Sequence, residues 1–369
     1  MTSFESGDTW VIKIGSSLLT NGGQGLAIDA MALWVEQIVK LRHAGVKTVL
    51  VSSGAVAEGM NRLNMKKRPH SLALLQAAAA VGQMGLVQAY ESLFQKFDIH
   101  TAQVLLTHAD LRSRERYINA RGTLKNLLDL GVIPVVNEND TVVTDEIQFG
   151  DNDTLAALVS NLIGANTLLL LTDQKGLYDS DPRKSNEAAL VRQRRANDPD
   201  LVGMAGEGGE WGRGGMVTKI KAGRIAARGG ANTVIAHGLQ EDVISLLHKG
   251  EVMGTLLMAD KAVLASRKQW LAGLAAQGRI YLDAGAVTVL REKGRSLLPI
   301  GVKRVDGRFT RGEIVACLDE SGMEVARGLI NYDHEESAAI CGRSSVDIQS
   351  ILGYAGEEEL IHRDNLVIV

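Results

Sequence analysis

Six short runs constrain this chain more than anything else in it: Trp10–Ile14, Thr48–Val51, Ala102–Leu106, Val132–Val136, Leu168–Leu171 and Thr233–Ala236 are apolar almost throughout, rather than alternating. A strand with one face in water alternates. A strand apolar on both faces must be covered on both, as in a parallel sheet held between two layers of helix. The intervening segments supply such layers. Met31, Trp34, Val35, Ile38 and Leu41 recur on one helical face, and helical spacing also covers 71–96, 111–130, 153–163 and 216–228. The pattern predicts an α/β fold with a doubly wound, mostly parallel sheet. Pro134 in the fourth run has no N–H for a ladder, so it weakens that strand locally or marks its start.

Near residue 260 the pattern changes. A helical piece around 260–275 precedes short runs punctuated by glycine: Arg279–Leu282, Val287–Leu290, Gly301–Val305, Glu313–Cys317 and Glu324–Leu329. All five read as strands. Helices are expected at 334–341 and 345–352, before a last apolar run, Leu366–Val369. A chain of 369 residues exceeds one ordinary core. The expected division is a catalytic domain over 1–260, a linker over 261–276 and a small β-rich domain over 277–369.

Charge and cysteine usage exclude several classes. A net charge of −3 gives no basic field for nucleic acid. Residues 277–369 hold 11 Lys/Arg against 15 Asp/Glu, and only Arg291–Arg311 is locally basic, which argues against RNA binding by this tail. Cys317 and Cys341 are too few for a disulfide framework and too far apart for a metal motif. Without a signal-peptide pattern, and with apolar runs well short of the roughly 20 residues that span a bilayer, the expectation is a cytoplasmic protein with no membrane partner.

Four turns after candidate strands carry chemistry, and ligands of open parallel sheets gather at the carboxyl ends of strands. Lys13 sits in an apolar run and leads into Gly15-Ser16-Ser17. It suits a bound phosphate, or it is a lysine that reaches solvent along a strand edge. Ser52-Ser53-Gly54-Ala55 forms a small-residue turn whose amides suit a carboxylate or phosphate, or which is tight for packing alone. Asn137-Glu138-Asn139-Asp140 and Asp151-Asn152-Asp153 place seven carboxylates and amides in two turns. One would suffice to cap a helix; the excess suits an amino-acid ammonium or the holding of lysines or Mg²⁺. Thr172-Asp173 ends the fifth run. The glycine-rich segment 203–215 leads through Arg213, Gly214, Gly215, Met216, Val217 and Thr218 to Lys219, which suits nucleotide phosphates or is a mobile linker.

Lysines and carboxylates without a histidine relay fit phosphoryl transfer, which needs positioning and charge neutralisation. A carboxylate acceptor is already ionised at neutral pH, so no general base is needed.

The stretches KIGSSLLT (13–20), SSGAVAEG (52–59), VVNENDTV (135–142), FGDNDTLAALV (149–159), LLTDQKGLYDSDPR (170–183) and GGMVTK (214–219), in this order, resemble the amino-acid kinase family, and within it the members that phosphorylate glutamate. The tail from about 277 resembles the PUA module carried by bacterial members. The resemblance implies ATP- and Mg²⁺-dependent phosphorylation of the γ-carboxylate of L-glutamate to L-glutamyl 5-phosphate, the first step of proline synthesis. It implies a homo-oligomer subject to inhibition by proline. It makes Lys13 and Lys219 the phosphate-binding lysines and Asp153 the residue that orients both. Ser53, Gly54 and Ala55 would hold a substrate carboxylate, and Asn137, Asp140 and Asn152 the amino-acid end. Thr172, Asp173 and the loop Arg213–Lys219 would touch ATP; Arg213 stands where the family usually has threonine. Kinases for aspartate or N-acetylglutamate would share the lysines and differ around Asp140.

Overall fold

The computed structural model describes residues 7–20, 25–143, 152–183, 185, 187–205, 215–251, 253–260 and 275–369. The chain divides into two compact units, Met1–Leu111 with Arg121–Val263, and Arg112–Ala120 with Leu264–Val369.

The described strands of the first unit are β1 (Thr9–Ile14), β2 (Lys47–Val51), β3 (Thr101–Leu106), β4 (Ile133–Glu138), β5 (Thr167–Thr172), β6 (Gln193–Arg195), β7 (Asn232–His237) and β8 (Thr255–Met258). They form one sheet in the order β3-β4-β2-β1-β5-β7-β8-β6. All pairs are parallel except β7 with β8. The six apolar runs are thus the first five strands and β7, as both-face burial requires. β6 and β8 escaped the pattern because they are short, and β6, Gln-Arg-Arg, is exposed throughout. Pro134 is the second residue of β4, opposite Ala102 of β3, and pairing with β2 begins only at Val135. The proline therefore stands before the stretch of β4 that is bonded on both sides.

Covering helices fall where the periodicity placed them. Ile28–His43 buries Met31, Trp34, Val35, Ile38 and Leu41, and its Trp34 Nε1 donates to the Gly238 carbonyl at 2.7 Å. Leu72–Phe94 contributes Leu86, Tyr90, Leu93 and Phe94 to the same core. By length and composition this last helix is apolar enough to cross a membrane, although glutamines and glycines keep its uninterrupted apolar runs short. It crosses the helix Ala55–Arg62 at backbone contact. A Cβ on Gly59 would lie 1.6 Å from the Ala78 oxygen, and one on Gly82 would lie 1.8 Å from the Ala55 oxygen. No side chain larger than hydrogen fits at either place.

The second unit holds a five-stranded sheet ordered β10-β9-β11-β12-β13, from β9 (Gly278–Leu282), β10 (Val302–Gly307), β11 (Ile314–Leu318), β12 (Glu324–Leu329) and β13 (Leu366–Ile368). One expected strand is a helix. Val287–Leu290 lies within Ala284–Lys293, whose N-cap Asp283 accepts from the Ala286 amide at 2.6 Å, with Gly294 left-handed at the other end (φ 54°). The β-branched Val287-Thr288-Val289 suggested extended chain; the two caps outweigh that preference. The expected helices appear as His334–Ile340 and Ile348–Leu352, the first with an Asp333–Glu336 capping box. The helical piece around 260–275 falls largely outside the described residues.

Candidate active site

Parallel register brings the chemistry-bearing turns side by side. Lys13 of β1 pairs with Val51 of β2 and Leu170 of β5, while Val51 also pairs with Val136 of β4. The strand ends and turns at Ser52–Ala55, Asn137–Asp140 and Thr172–Asp173 therefore lie at one edge of the sheet.

At this edge Asp153, the second residue of the helix Asn152–Ile163, is almost wholly buried. Lys13 Nζ lies 2.6 Å from its Oδ1, and Lys219 Nζ lies 3.0 Å from its Oδ2. Lys219 comes from the first turns of the helix Met216–Arg228, and Thr218 Oγ1 of the same turn is 2.8 Å from Asp153 Oδ2. Burial alone would push the Asp153 carboxyl up. The charges of Lys13 and Lys219, with hydrogen bonds from Lys13 and Thr218, outweigh it and hold the group well below the usual carboxylate range. Two buried ammonium groups thus converge on one carboxylate. Such an arrangement suits a polyanion brought against the lysines.

A second set of contacts lies beside the first. Asn152 Nδ2 donates to the Ser52 carbonyl at 2.7 Å and to Asn137 Oδ1 at 2.8 Å, and lies 3.2 Å from Ser53 Oγ. Gly54, at φ 91°, is in the left-handed region that favours glycine, and turns the chain from β2 into the helix Ala55–Arg62. Asp140 is pushed up to about 7, first by burial and then by the nearby Glu138 charge, against the lowering influence of Arg68. Thr172 Oγ1, at the end of β5, donates to Asp173 Oδ1 at 3.0 Å.

The structure thus gathers Lys13, Asp153, Thr218 and Lys219 into one group, and Ser53, Asn137 and Asn152 into another. Gly54 and Ala55 flank the second group in sequence, and Gly215, Met216 and Val217 open the helix that carries Lys219. Asp140, Thr172 and Asp173 stand outside both groups, though each lies at a strand end or turn on the same sheet edge. Arg213 and Gly214, the turn residue Asp151 and most of the glycine-rich segment lie outside the described residues.

Two features escaped the sequence. Gln83 of the helix Leu72–Phe94 accepts from Asn137 Nδ2 at 2.7 Å. Its signal was a lone polar residue in a buried stripe with Ala79, Leu86 and Tyr90. Glu138, buried at the end of β4, has Oε2 3.6 Å from His108 Nδ1. Nothing in the spacing of His108 from Glu138 indicates that contact.

Comparison with known proteins gives a consistent picture. Residues 8–237 match the sequence model of the amino acid kinase family, and residues 278–352 match that of the PUA domain. A protein of Hahella chejuensis named glutamate 5-kinase is 60% identical over 362 residues, covering 98% of this chain and 94% of its own. The glutamate 5-kinase of Nitrosospira multiformis is 60% identical over 361 residues, with 97% of each chain covered. That of Alcanivorax borkumensis is 60% identical over 361 residues, covering 98% of this chain and 96% of its own.

Proposed function

The chain belongs to the amino acid kinase family, and from that membership we propose that it transfers the γ-phosphoryl group of ATP to the γ-carboxylate of L-glutamate, giving L-glutamyl 5-phosphate and ADP, the first step of proline biosynthesis. The observation that carries the mechanism is the pair of lysines held on the two oxygens of Asp153.

Acceptor and donor are both anions, and the barrier to their approach is largely electrostatic. Lys13 and Lys219 meet the transferring phosphoryl group, and Asp153 fixes both ammonium groups before substrate arrives, so little reorganisation remains for the reaction itself. Thr218 steadies the second Asp153 oxygen. Ser53, with the Gly54 and Ala55 amides, receives a substrate carboxylate. Asn137, Asp140 and Asn152 hold the amino-acid end. Asn152 shows why this is apt: its Nδ2 is fixed on carbonyl and amide oxygens, which leaves Oδ1 as an acceptor for an ammonium. Thr172, Asp173 and the segment Arg213–Lys219 take the nucleotide. The glutamate carboxylate attacks in its ionised form, so no residue is assigned to remove a proton.

Mg²⁺ enters this scheme with ATP, held chiefly by phosphate oxygens, as that ion usually is. Asp153 is not offered as its ligand, because both of its oxygens are engaged by Lys13, Lys219 and Thr218. The division into 1–260, a linker over 261–276 and a PUA-like domain over 277–369 is part of the proposal, as are a cytoplasmic location, a homo-oligomer and inhibition by proline.

The test is turnover of ATP and Mg²⁺ with L-glutamate, L-aspartate or N-acetylglutamate, with hydroxylamine present to trap an acyl phosphate. Hydroxamate from glutamate is expected. Hydroxamate from one of the other acids instead would reassign the substrate, and none from any would remove the reaction.

A further inference from the structure

The amides around Asn137 form a chain whose direction is fixed at every link. Asn152 Nδ2 faces the Ser52 carbonyl, which can only accept. Asn137 Oδ1 accepts from this Asn152 nitrogen at 2.8 Å and from the Glu138 backbone N–H at 2.9 Å, so the Asn137 oxygen cannot exchange places with its nitrogen. Asn137 Nδ2 must then donate, and it does so to Gln83 Oε1 at 2.7 Å. The Gln83 amide is thereby oriented as well. Its Nε2, carrying two donor hydrogens, ends the chain, and it is buried without a hydrogen-bond partner. Gln83 itself is only 7% exposed.

Native structures leave few buried donors unpaired, and those that remain call for an explanation. Packing alone does not supply one. Ala79, Leu86 and Tyr90 fill the rest of this helical stripe, and the bond from Asn137 Nδ2 accounts for the Gln83 oxygen but not for its nitrogen. The position of the amide gives a reason: its oxygen holds Asn137, a member of the group that includes Asn152 and Ser53, and its nitrogen, on the same carbon as that oxygen, lies beside that group.

We propose that Gln83 is a substrate-binding residue whose side-chain Nε2 donates a hydrogen bond to the α-carboxylate of bound L-glutamate, while its Oε1 fixes Asn137. This rests on the reading that glutamate is the substrate, and it adds a donor to a group otherwise described by its acceptors for the ammonium. An α-amino acid then meets both signs of complementarity at one end, an acceptor for its ammonium at Asn152 Oδ1 and a donor for its carboxylate at Gln83 Nε2.

The experiment compares Gln83→Glu and Gln83→Met with the unmodified enzyme in the hydroxamate assay, measuring kcat and KM for glutamate and for ATP between pH 5.5 and pH 8.5. Gln83→Glu keeps the acceptor toward Asn137 and loses the donor; Gln83→Met keeps the length and loses both. KM for glutamate is expected to rise about 10- to 100-fold in each variant, with KM for ATP within about twofold. In Gln83→Glu the defect should shrink as pH falls, because protonation restores a donor at that oxygen; Gln83→Met should show no such recovery. A KM for glutamate within twofold of the unmodified enzyme in either folded variant would overturn the proposal. So would equal losses in kcat and in both KM values without recovery at low pH, the mark of a packing role. If the unmodified enzyme makes no hydroxamate from glutamate, the substrate reading fails first and takes this proposal with it.

Discussion

Lys13 Nζ stands 2.6 Å from Asp153 Oδ1, with both side chains less than a tenth exposed. Lys219 holds the other oxygen at 3.0 Å, so the carboxylate is what allows two ammonium groups to sit together under the protein surface. Breaking such a buried set by removing its one anion leaves uncompensated charge, at a cost of about 3–5 kcal/mol. Asp153→Asn is accordingly expected to lower thermal stability strongly and to abolish measurable turnover. Circular dichroism melts and the hydroxamate assay check the two effects. The pH dependence has a definite sign. The Asp153 carboxyl is depressed in the folded state, so its contribution is complete above the ordinary carboxylate range and is lost as pH falls through the lowered value.

Asp140 behaves in the opposite way. Its folded-state value is about 7, raised by burial and then by Glu138, so near neutrality the free enzyme holds a mixture of acid and carboxylate. A substrate ammonium prefers the carboxylate. KM for glutamate should therefore fall as pH rises through about 7, and Asp140→Asn should raise KM and erase that dependence. Stability gives an independent check. The folded protein retains a proton that the unfolded chain releases, so this group's contribution declines from the ordinary carboxylate range up to about 7 and is level above it. Melting temperature against pH, with and without the substitution, measures it.

Asn152 ties the start of its helix to the Ser52 carbonyl and to Asn137. Asn152→Ala leaves a buried acceptor unpaired, which costs about 1–3 kcal/mol. If the same residue presents its Oδ1 to the substrate, KM for glutamate should rise about 10- to 100-fold while KM for ATP stays within about threefold. Steady-state kinetics with each substrate varied in turn decide this.

Much of this arrangement was legible in the sequence, for reasons that also explain what was not. The runs ending at Ile14, Val51, Val136 and Leu171 are apolar because helices cover both faces, and that pattern survives without knowledge of the fold. The ligand-bearing turns follow from those strand ends. Val287–Leu290 misled because β-branched residues favour extended chain, whereas Asp283 and Gly294 close a helix around them. The convergence of Lys13 and Lys219 on Asp153 depends on the register of β1 with β5 and on where two helices begin, which no local pattern encodes. Family resemblance supplied that grouping before geometry did. Gln83 was hidden by its setting, since one glutamine in a buried helical stripe reads as a tolerated core residue until its partner Asn137 is known.

The close crossing of the helices Ala55–Arg62 and Leu72–Phe94 gives a prediction away from the lysines. A Cβ at position 82 would lie 1.8 Å from the Ala55 oxygen, on backbone that cannot swing aside. Gly82→Ala should cost about 1–3 kcal/mol through displaced backbone, despite alanine's better helix propensity. Because Ala55 begins the helix after the Ser53-Gly54 turn, KM for glutamate should rise as well. Denaturant melts and kinetics on one preparation would show both effects.

The most direct test of the central claim is kcat for hydroxamate formation in Lys219→Ala, with Lys13→Ala as its companion, at saturating ATP and glutamate. If the two lysines neutralise charge on the transferring phosphoryl group, each substitution lowers kcat on the order of 10²–10³-fold, roughly 3–4 kcal/mol. Turnover within a few-fold of the unmodified enzyme in a folded Lys219→Ala protein would contradict that account and remove this lysine from the chemistry.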